Sequence, residues 1–241
     1  MKQLNNFIQE KLKISAKSSV NKYNYVPENK EELKGILKDR IENEGHNIDL
    51  NDIDTSQIDD MEGLFVGLPI ENIDISFWDV SNVENFKTMF WHCRKFNCDL
   101  SKWNVSKGTN LSNMFSGCHS FNSDLSNWNV SNAETLMHMF DDCFVFEGKG
   151  LENWKITKCN SLYGTFNNCK NFNCDLSNWN VSNVKYLGSC FENCEVLDCD
   201  LSKWNVTTDK MYMKGTFFGC KKLIKDKKIP NWWPYKNLIY G

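Results

Sequence analysis

Long apolar runs are missing from this chain. No stretch approaches the ~18 apolar residues that a membrane-crossing helix needs, so a helical span is excluded at the level of sequence. The opening MKQLNNFIQEKLKIS holds no apolar h-region and no small-residue cleavage site, and no export signal is expected. Histidine is scarce, with only His46, His92, His119 and His138. No Gly-rich phosphate loop, GxSxG elbow or HExxH pair is written anywhere. The common signatures of nucleotide hydrolysis, serine hydrolysis and zinc proteolysis are therefore absent. The 11 cysteines are odd in number, and without an export signal they are expected to be reduced.

What is there supports a packed core. Hydrophobic residues make up 41% of the 241 and aromatics 13%, which excludes a disordered chain. The formal net charge is −3, so the whole molecule has no footprint for nucleic acid. The charge is unevenly placed. Residues 1–25 carry five Lys and one Glu, and residues 215–241 carry six Lys and one Asp, around an acidic body.

Tryptophan keeps a period. Trp78, Trp103, Trp128, Trp154, Trp179 and Trp204 are spaced by 25, 25, 26, 25 and 25 residues, and Ile53 stands one period before the first. Twelve residues after each come Phe65, Phe90, Phe115, Phe140, Phe166 and Phe191. Fifteen after come Cys93, Cys118, Cys143, Cys169 and Cys194, and eighteen after come Phe96, Phe121, Phe146, Phe172 and Leu197. The last copy slips by one residue, to Phe217, Cys220 and Leu223. A fixed period of 20–50 residues marks repeat architectures, and ~25 is too short for a propeller blade.

Two patterns recur inside a copy. Leu111, Met114, Phe115, Cys118 and Phe121 fall at i, i+3, i+4, i+7 and i+10, which predicts one face of a helix. Trp103 and Val105 alternate as in a short strand, with Leu100 across a bend. The LxxWxV segment followed by FxxCxxF/L resembles the BspA-type leucine-rich repeats of bacterial surface proteins. The DLSxWNVSN wording is closer still to a 25-residue variant of Mycoplasma surface lipoproteins, also encoded by gut bacteria and their phages. The resemblance covers roughly residues 49–225. It implies stacked repeats, and for exported members a role in adhesion to host or bacterial partners.

The expected fold is thus an α/β solenoid: a right-handed coil of leucine-rich-repeat type, with about seven 25-residue strand–helix repeats and a helical N-terminal cap. Residues 1–24 are expected to be a docking segment and linker, 25–48 a capping helix, 49–225 the repeats and 226–241 an aromatic cap. Asn29 is the expected N-cap and Gly45 the stop of the capping helix, with Leu33, Ile36, Leu37 and Ile41 on its apolar stripe. Trp232, Trp233, Tyr235 and Ile239 suit a lid on the last copy, or alternatively an exposed docking patch. Leu4, Phe7, Ile8 and Leu12 form a separate amphipathic pattern ahead of a Ser- and Lys-rich linker. They are expected either to dock in a partner's groove or to pack back on the repeats.

Chemistry is thinly written. The column cysteines lie on the inward stripe and are read as core filler, with no metal site and no cofactor expected. His92 and His119 are read as surface residues. The acids Asp74, Asp99, Asp124, Asp175 and Asp200 recur four before the Trp position. A glycosidase needs one unequal pair of carboxylates, so these are read as acceptors for backbone N–H groups at a bend. The columns flanking Trp would face outward if Trp faces in. Asp79, Asn104, Asn129, Lys155, Asn180 and Asn205 follow it directly. Phe77, Lys102, Asn127, Asn153, Asn178 and Lys203 precede it. They form either an amide ladder or a binding face. The expected function is a non-catalytic protein–protein interaction or structural protein with a protein partner, intracellular or in a phage particle, without nucleic acid or membrane. The alternative is a surface adhesin that binds glycan or host protein.

Overall fold

In the computed structural model, which describes residues 22–240, the first regular element is the helix Lys30–Glu44. Asn29 is extended, and its Oδ1 accepts the N–H of Glu32 at 3.0 Å. The Glu32 carboxylate reaches back to the Glu28 N–H at 2.9 Å. The N-cap bond satisfies one orphaned donor of the first turn, and the Glu32 bond ties that turn to the residue before the cap. Gly45 ends the helix at φ 94° with its N–H on the Ile41 carbonyl. Leu33, Leu37 and Ile41 are buried and join the core, while Ile36 packs partly buried against it.

Two short strands follow, Asn47–Asp49 and Asn72–Asp74, paired in parallel with Ile48 opposite Ile73. No third strand joins them among the described residues. This overturns the expected right-handed α/β solenoid of strand–helix repeats. Residues 100–105 are not a strand, and residues 111–121 run through turns without a helix.

The physical reason lies in where the backbone N–H groups go. Met114, Ser116 and Cys118 close onto the carbonyls of Leu111, Asn113 and Phe115, three residues back and not four. The alternate residues Leu111, Asn113, Phe115 and Gly117 donate instead to Thr135, Met137, Met139 and Asp141 of the next copy, at 3.3, 2.8, 2.9 and 2.7 Å. Asn113 and Gly117 adopt left-handed φ of 56° and 76°, which a right-handed helix does not admit. One left-handed residue in every four brings side chains inward on a four-residue beat. In sequence that beat is nearly indistinguishable from a helix period of 3.6 residues. The pattern recurs as Phe90 to Met114, Phe140 to Thr165, Phe166 to Cys190 and Phe191 to Thr216. Single parallel bridges run Asp60–Asn85–Asn110–Thr135–Ser161–Tyr186.

Side chains tie the copies as firmly as the backbone does. Trp103, Trp128, Trp154, Trp179 and Trp204 are buried and lie nearly parallel, with centroids 6.3–6.5 Å apart. Each indole N–H donates to a carbonyl of the preceding copy: Trp103 to Ile75, Trp128 to Leu100 and Trp179 to Leu151, at 3.0, 3.0 and 2.8 Å. Phe90, Phe115 and Phe140 stack 5.5 and 5.7 Å apart. The column cysteines donate Sγ–H to the previous copy's Phe carbonyl, Cys118 to Phe90 at 3.0 Å and Cys169 to Phe140 at 2.9 Å. At the C-terminal end Trp232 stacks on Trp204 at 6.2 Å and repeats the indole bond, to Leu201 at 2.8 Å. Trp233 is buried edge-on against Phe217, with its N–H on the Met213 carbonyl. No helix among the described residues is long and apolar enough to cross a membrane.

Candidate binding surface

Two surfaces can meet other molecules, and only one of them was legible in the repeat. The first is the pair of columns flanking Trp. Asp79, Lys102, Asn104, Asn127, Asn129, Asn153, Lys155, Asn178, Asn180, Lys203 and Asn205 are all exposed. Three of their amides are engaged locally. The Oδ1 atoms of Asn104, Asn129 and Asn180 accept the N–H of Ser106, Ser131 and Ser182 at 3.2, 3.1 and 3.1 Å. Asp79 accepts from Ser81 at 3.0 Å. These bonds are Asx turns, which explain the NVS wording by chain reversal. The Lys102 ammonium sits 3.8 Å from the Phe77 ring centroid.

The copy-to-copy amide bonds lie mainly in another column, although Asn127 also donates Nδ2–H to the Ser101 carbonyl of the preceding copy at 3.1 Å. Asn82, Asn132 and Asn183 donate Nδ2–H to the carbonyls of Ser56, Ser106 and Thr157 at 2.8, 2.8 and 2.7 Å. Lys107 and Lys158 cap Asn82 and Asn132 from the following copy. The repeated acids meet the demand placed on them. Asp74, Asp99, Asp124, Asp175 and Asp200 each accept the N–H of the Ser two residues on, at 2.9 Å. Asp124 also pairs with Lys149 at 2.6 Å, and that bond, then those from Ser126, hold its carboxyl down to about 2.

The thiols are spent in the interior. All 11 are free and buried. Burial pushes Cys93 up to about 12 and Cys98 and Cys159 to about 11, and Cys118, Cys143, Cys169, Cys190 and Cys194 are raised well above the usual thiol range. Among the described residues no group of three or more His, Cys, Asp or Glu converges as metal ligands would. His92 is exposed and His119 half-buried, with its ring 4.5 Å from Phe144; His138 pairs with Asp141 at 2.9 Å.

The irregular copy at Gly148–Thr157 accommodates its extra residue in a 3-10 turn, Leu151–Asn153, entered through left-handed Gly148 and Gly150. An open polar depression of about 430 Å³ lies beside it, lined by Glu147, Asn171, Asn173 and Val196. Asn173 is already committed, since its Oδ1 accepts the Asp198 N–H at 2.8 Å.

The second surface is a groove of about 410 Å³ toward the C-terminal end, lined by Tyr163, Tyr186, Tyr212, Met211, Glu192 and Lys214 among others. Exposure of large apolar side chains concentrates here: Tyr163 and Tyr186 are 42% exposed, Tyr212 40% and Met211 65%. The Tyr186 and Tyr212 rings meet edge to face at 5.0 Å and 77°. The Tyr163 ring covers Gly188, where an added Cβ would lie 3.0 Å from its Cε2, and makes its own edge contact with His138. The side chains of Glu192 and Ser189 flank Gly215, where an added Cβ would lie 3.0 and 2.9 Å from their oxygens.

Sequence reasoning missed this groove because its tyrosines fall outside the invariant columns. A signal was present. Of seven tyrosines none lies between Tyr25 and Tyr163, so the ring-bearing positions crowd into the last copies. Leu4, Phe7, Ile8 and Leu12, the expected docking segment, lie outside the described residues.

A family model described as Mycoplasma protein of unknown function, DUF285, matches residues 32–154 and, in a second overlapping match, 134–238. No curated protein and no solved structure matches the chain.

Proposed function

The chain belongs to the DUF285 family of Mycoplasma proteins, and from that premise we propose that it is a non-catalytic binding protein. It holds a partner on its surface and performs no bond chemistry. The observation that carries this reading is the concentration of half-exposed tyrosines and a methionine in one groove. Tyr offers large, rigid contact area with a polar tip, and patches of this kind mark interaction sites. The burial of every cysteine supports the same reading, because the strongest nucleophiles in the chain are withdrawn from solvent, the column thiols onto carbonyls.

In this reading the partner is a protein within an intracellular or phage-particle assembly, and the Leu4–Leu12 segment is a second attachment point. The DLSxWNVSN wording places the chain, we infer, with the 25-residue repeat variant of surface proteins. A second reading, an adhesin for glycan or host protein, is favoured by the exposed amides of Asn104, Asn129, Asn180 and Asn205.

Capture from the native source, compared across four baits, separates these readings. The baits are the wild type, a chain lacking residues 1–22, Tyr186→Ala with Tyr212→Ala, and Asn104→Ala with Asn129→Ala. Loss of a stoichiometric protein with the tyrosine or the truncated bait is the expected result. Loss of a glycan-bearing species with the asparagine bait transfers the function to the adhesin reading. Equal capture by all four overturns surface binding through any of these groups.

A further inference from the structure

The walls of the tyrosine groove have a chemistry more specific than apolar contact. Three phenol rings line it, two of them nearly perpendicular. A cation held within ~6 Å of a phenol centroid is attracted by that ring's negative face. The Glu192 carboxylate stands on the same wall, placed by its closeness to Gly215. It has no ion-pair partner among the described residues, unlike Glu195 on the next turn, which pairs with Lys221 at 2.7 Å. Gly188 leaves room for the Tyr163 ring that lies over it. The groove is therefore aromatic and open, with an unpaired carboxylate in its lining. Lys214 lines it too; its carbonyl is used by the Ser189 N–H at 2.9 Å, while its exposed ammonium has no ion-pair partner among the described residues.

We infer that this groove binds a quaternary ammonium carried a few bonds from an anionic group, phosphocholine being the simplest such ligand. The inference deepens the binding-protein reading and rests on it. The ammonium sits among Tyr163, Tyr186 and Tyr212 with Glu192 as counter-charge, and the phosphate faces Lys214. Ring faces serve a methylated cation better than a primary one. A primary ammonium brings three N–H donors that need acceptors when desolvated. The groove offers one carboxylate among phenol rings and hydroxyls, whereas a trimethylammonium asks for no hydrogen bond and gains from ring contact. A volume of about 410 Å³ lies within the ~300–1,000 Å³ of small-molecule sites. The presence of both Glu192 and Lys214 in the lining favours a zwitterion over choline alone, because an unmatched Lys214 would repel a simple cation.

Calorimetric titration of the full chain with phosphocholine, phosphoethanolamine, choline and inorganic phosphate tests this. Phosphocholine is expected to bind at least tenfold more tightly than each of the others. Tyr186→Ala and Tyr212→Ala should each weaken it about tenfold and Glu192→Gln several-fold, while Tyr212→Phe, which keeps the ring face, should leave it nearly intact. Unchanged thermal unfolding of these exposed-site variants excludes loss of fold. Cosedimentation with phosphatidylcholine vesicles but not phosphatidylglycerol vesicles would identify a lipid headgroup as the source. Binding of free phosphocholine without cosedimentation would identify a soluble source. Equal affinity for phosphoethanolamine, no heat with phosphocholine, or wild-type affinity in Tyr186→Ala each overturns the ligand assignment. If phosphocholine fails while the tyrosine bait still loses its captured partner, the ligand is wrong and the binding surface stands. If both fail, the groove has no binding role.

Discussion

Replacing Trp128 with Phe isolates what the indole column contributes. Trp128 is 3% exposed and lies between Trp103 and Trp154, at 6.5 and 6.3 Å and within 3° of parallel to each. Its N–H donates to the Leu100 carbonyl at 3.0 Å. Phe keeps an aromatic ring but removes that donor. The Leu100 oxygen is not orphaned, because it also accepts the Trp103 backbone N–H at 3.1 Å. The cost should therefore lie near the net worth of one hydrogen bond, about 1 kcal/mol, and below the ~3 kcal/mol of an abandoned buried acceptor. Poorer contact with two neighbouring indoles adds about 0.5–1.5 kcal/mol, for a total of about 2 kcal/mol. Trp128→Ala empties the site and should cost about 3–5 kcal/mol. Urea unfolding followed by far-ultraviolet circular dichroism measures both, with an unchanged slope confirming that the native state is the one perturbed. A Phe variant within ~0.3 kcal/mol of wild type, or an Ala variant no worse than the Phe variant, would refute the claim that the indoles bind one copy to the next.

The remaining expectations concern thiols, acid and backbone. Cys174 and Cys199 are pushed up to about 12 and Cys98 to about 11 by burial; at pH 8 a disulfide-exchange reagent should label these slowly and the column cysteines not at all until urea is added. Prompt labelling of Cys143 in the native chain would contradict its burial. Asp124 has a folded value of about 2, below the ordinary carboxylate value, so its contribution is present above about pH 4 and is lost as pH falls from there through 2. Asp124→Asn should accordingly lower stability at pH 7 by less than Trp128→Phe does, because the Lys149 pair is solvent-screened, and the difference from wild type should vanish below pH 2. Gly150 has φ 94°, and a Cβ there would lie 2.7 Å from the Leu125 carbonyl carbon. That neighbour is backbone and cannot swing away, so Gly150→Ala should cost several kcal/mol, on the order of the ~1–3 kcal/mol of left-handed strain plus the clash; a thermal midpoint equal to wild type would show that the irregular copy relaxes freely.

Legibility varied sharply between elements. The Lys30–Glu44 helix was readable to its ends, because Asn29, Glu32 and Gly45 carry capping chemistry that acts within one turn of the chain. The inward columns were readable because burial of Trp, Phe and Cys repeats at a fixed period. The backbone between them was misread. Leu111, Met114, Phe115 and Cys118 have the spacing of a helix face, yet Asn113 and Gly117 are left-handed and the donors leave for the next copy. The Asn104, Asn129 and Asn180 amides were assigned to exposed columns, and the structure puts them there; that they cap their own Asx turns, while Asn82, Asn132 and Asn183 with Asn127 bond from copy to copy, was decided only by the tertiary structure.

By itself the sequence determined which side chains leave water, since a hydrophobic period does not depend on the path the backbone takes between its inward positions. It also determined the capped helix, whose bonds are local. Only the tertiary structure decided between helix and stacked turns, because that choice turns on whether an N–H pairs within its own segment or with a carbonyl 24 residues away. The tyrosine groove was decided in the same way. Tyr163, Tyr186 and Tyr212 come from three different copies, and no spacing rule within one copy brings their rings to a common wall with Glu192.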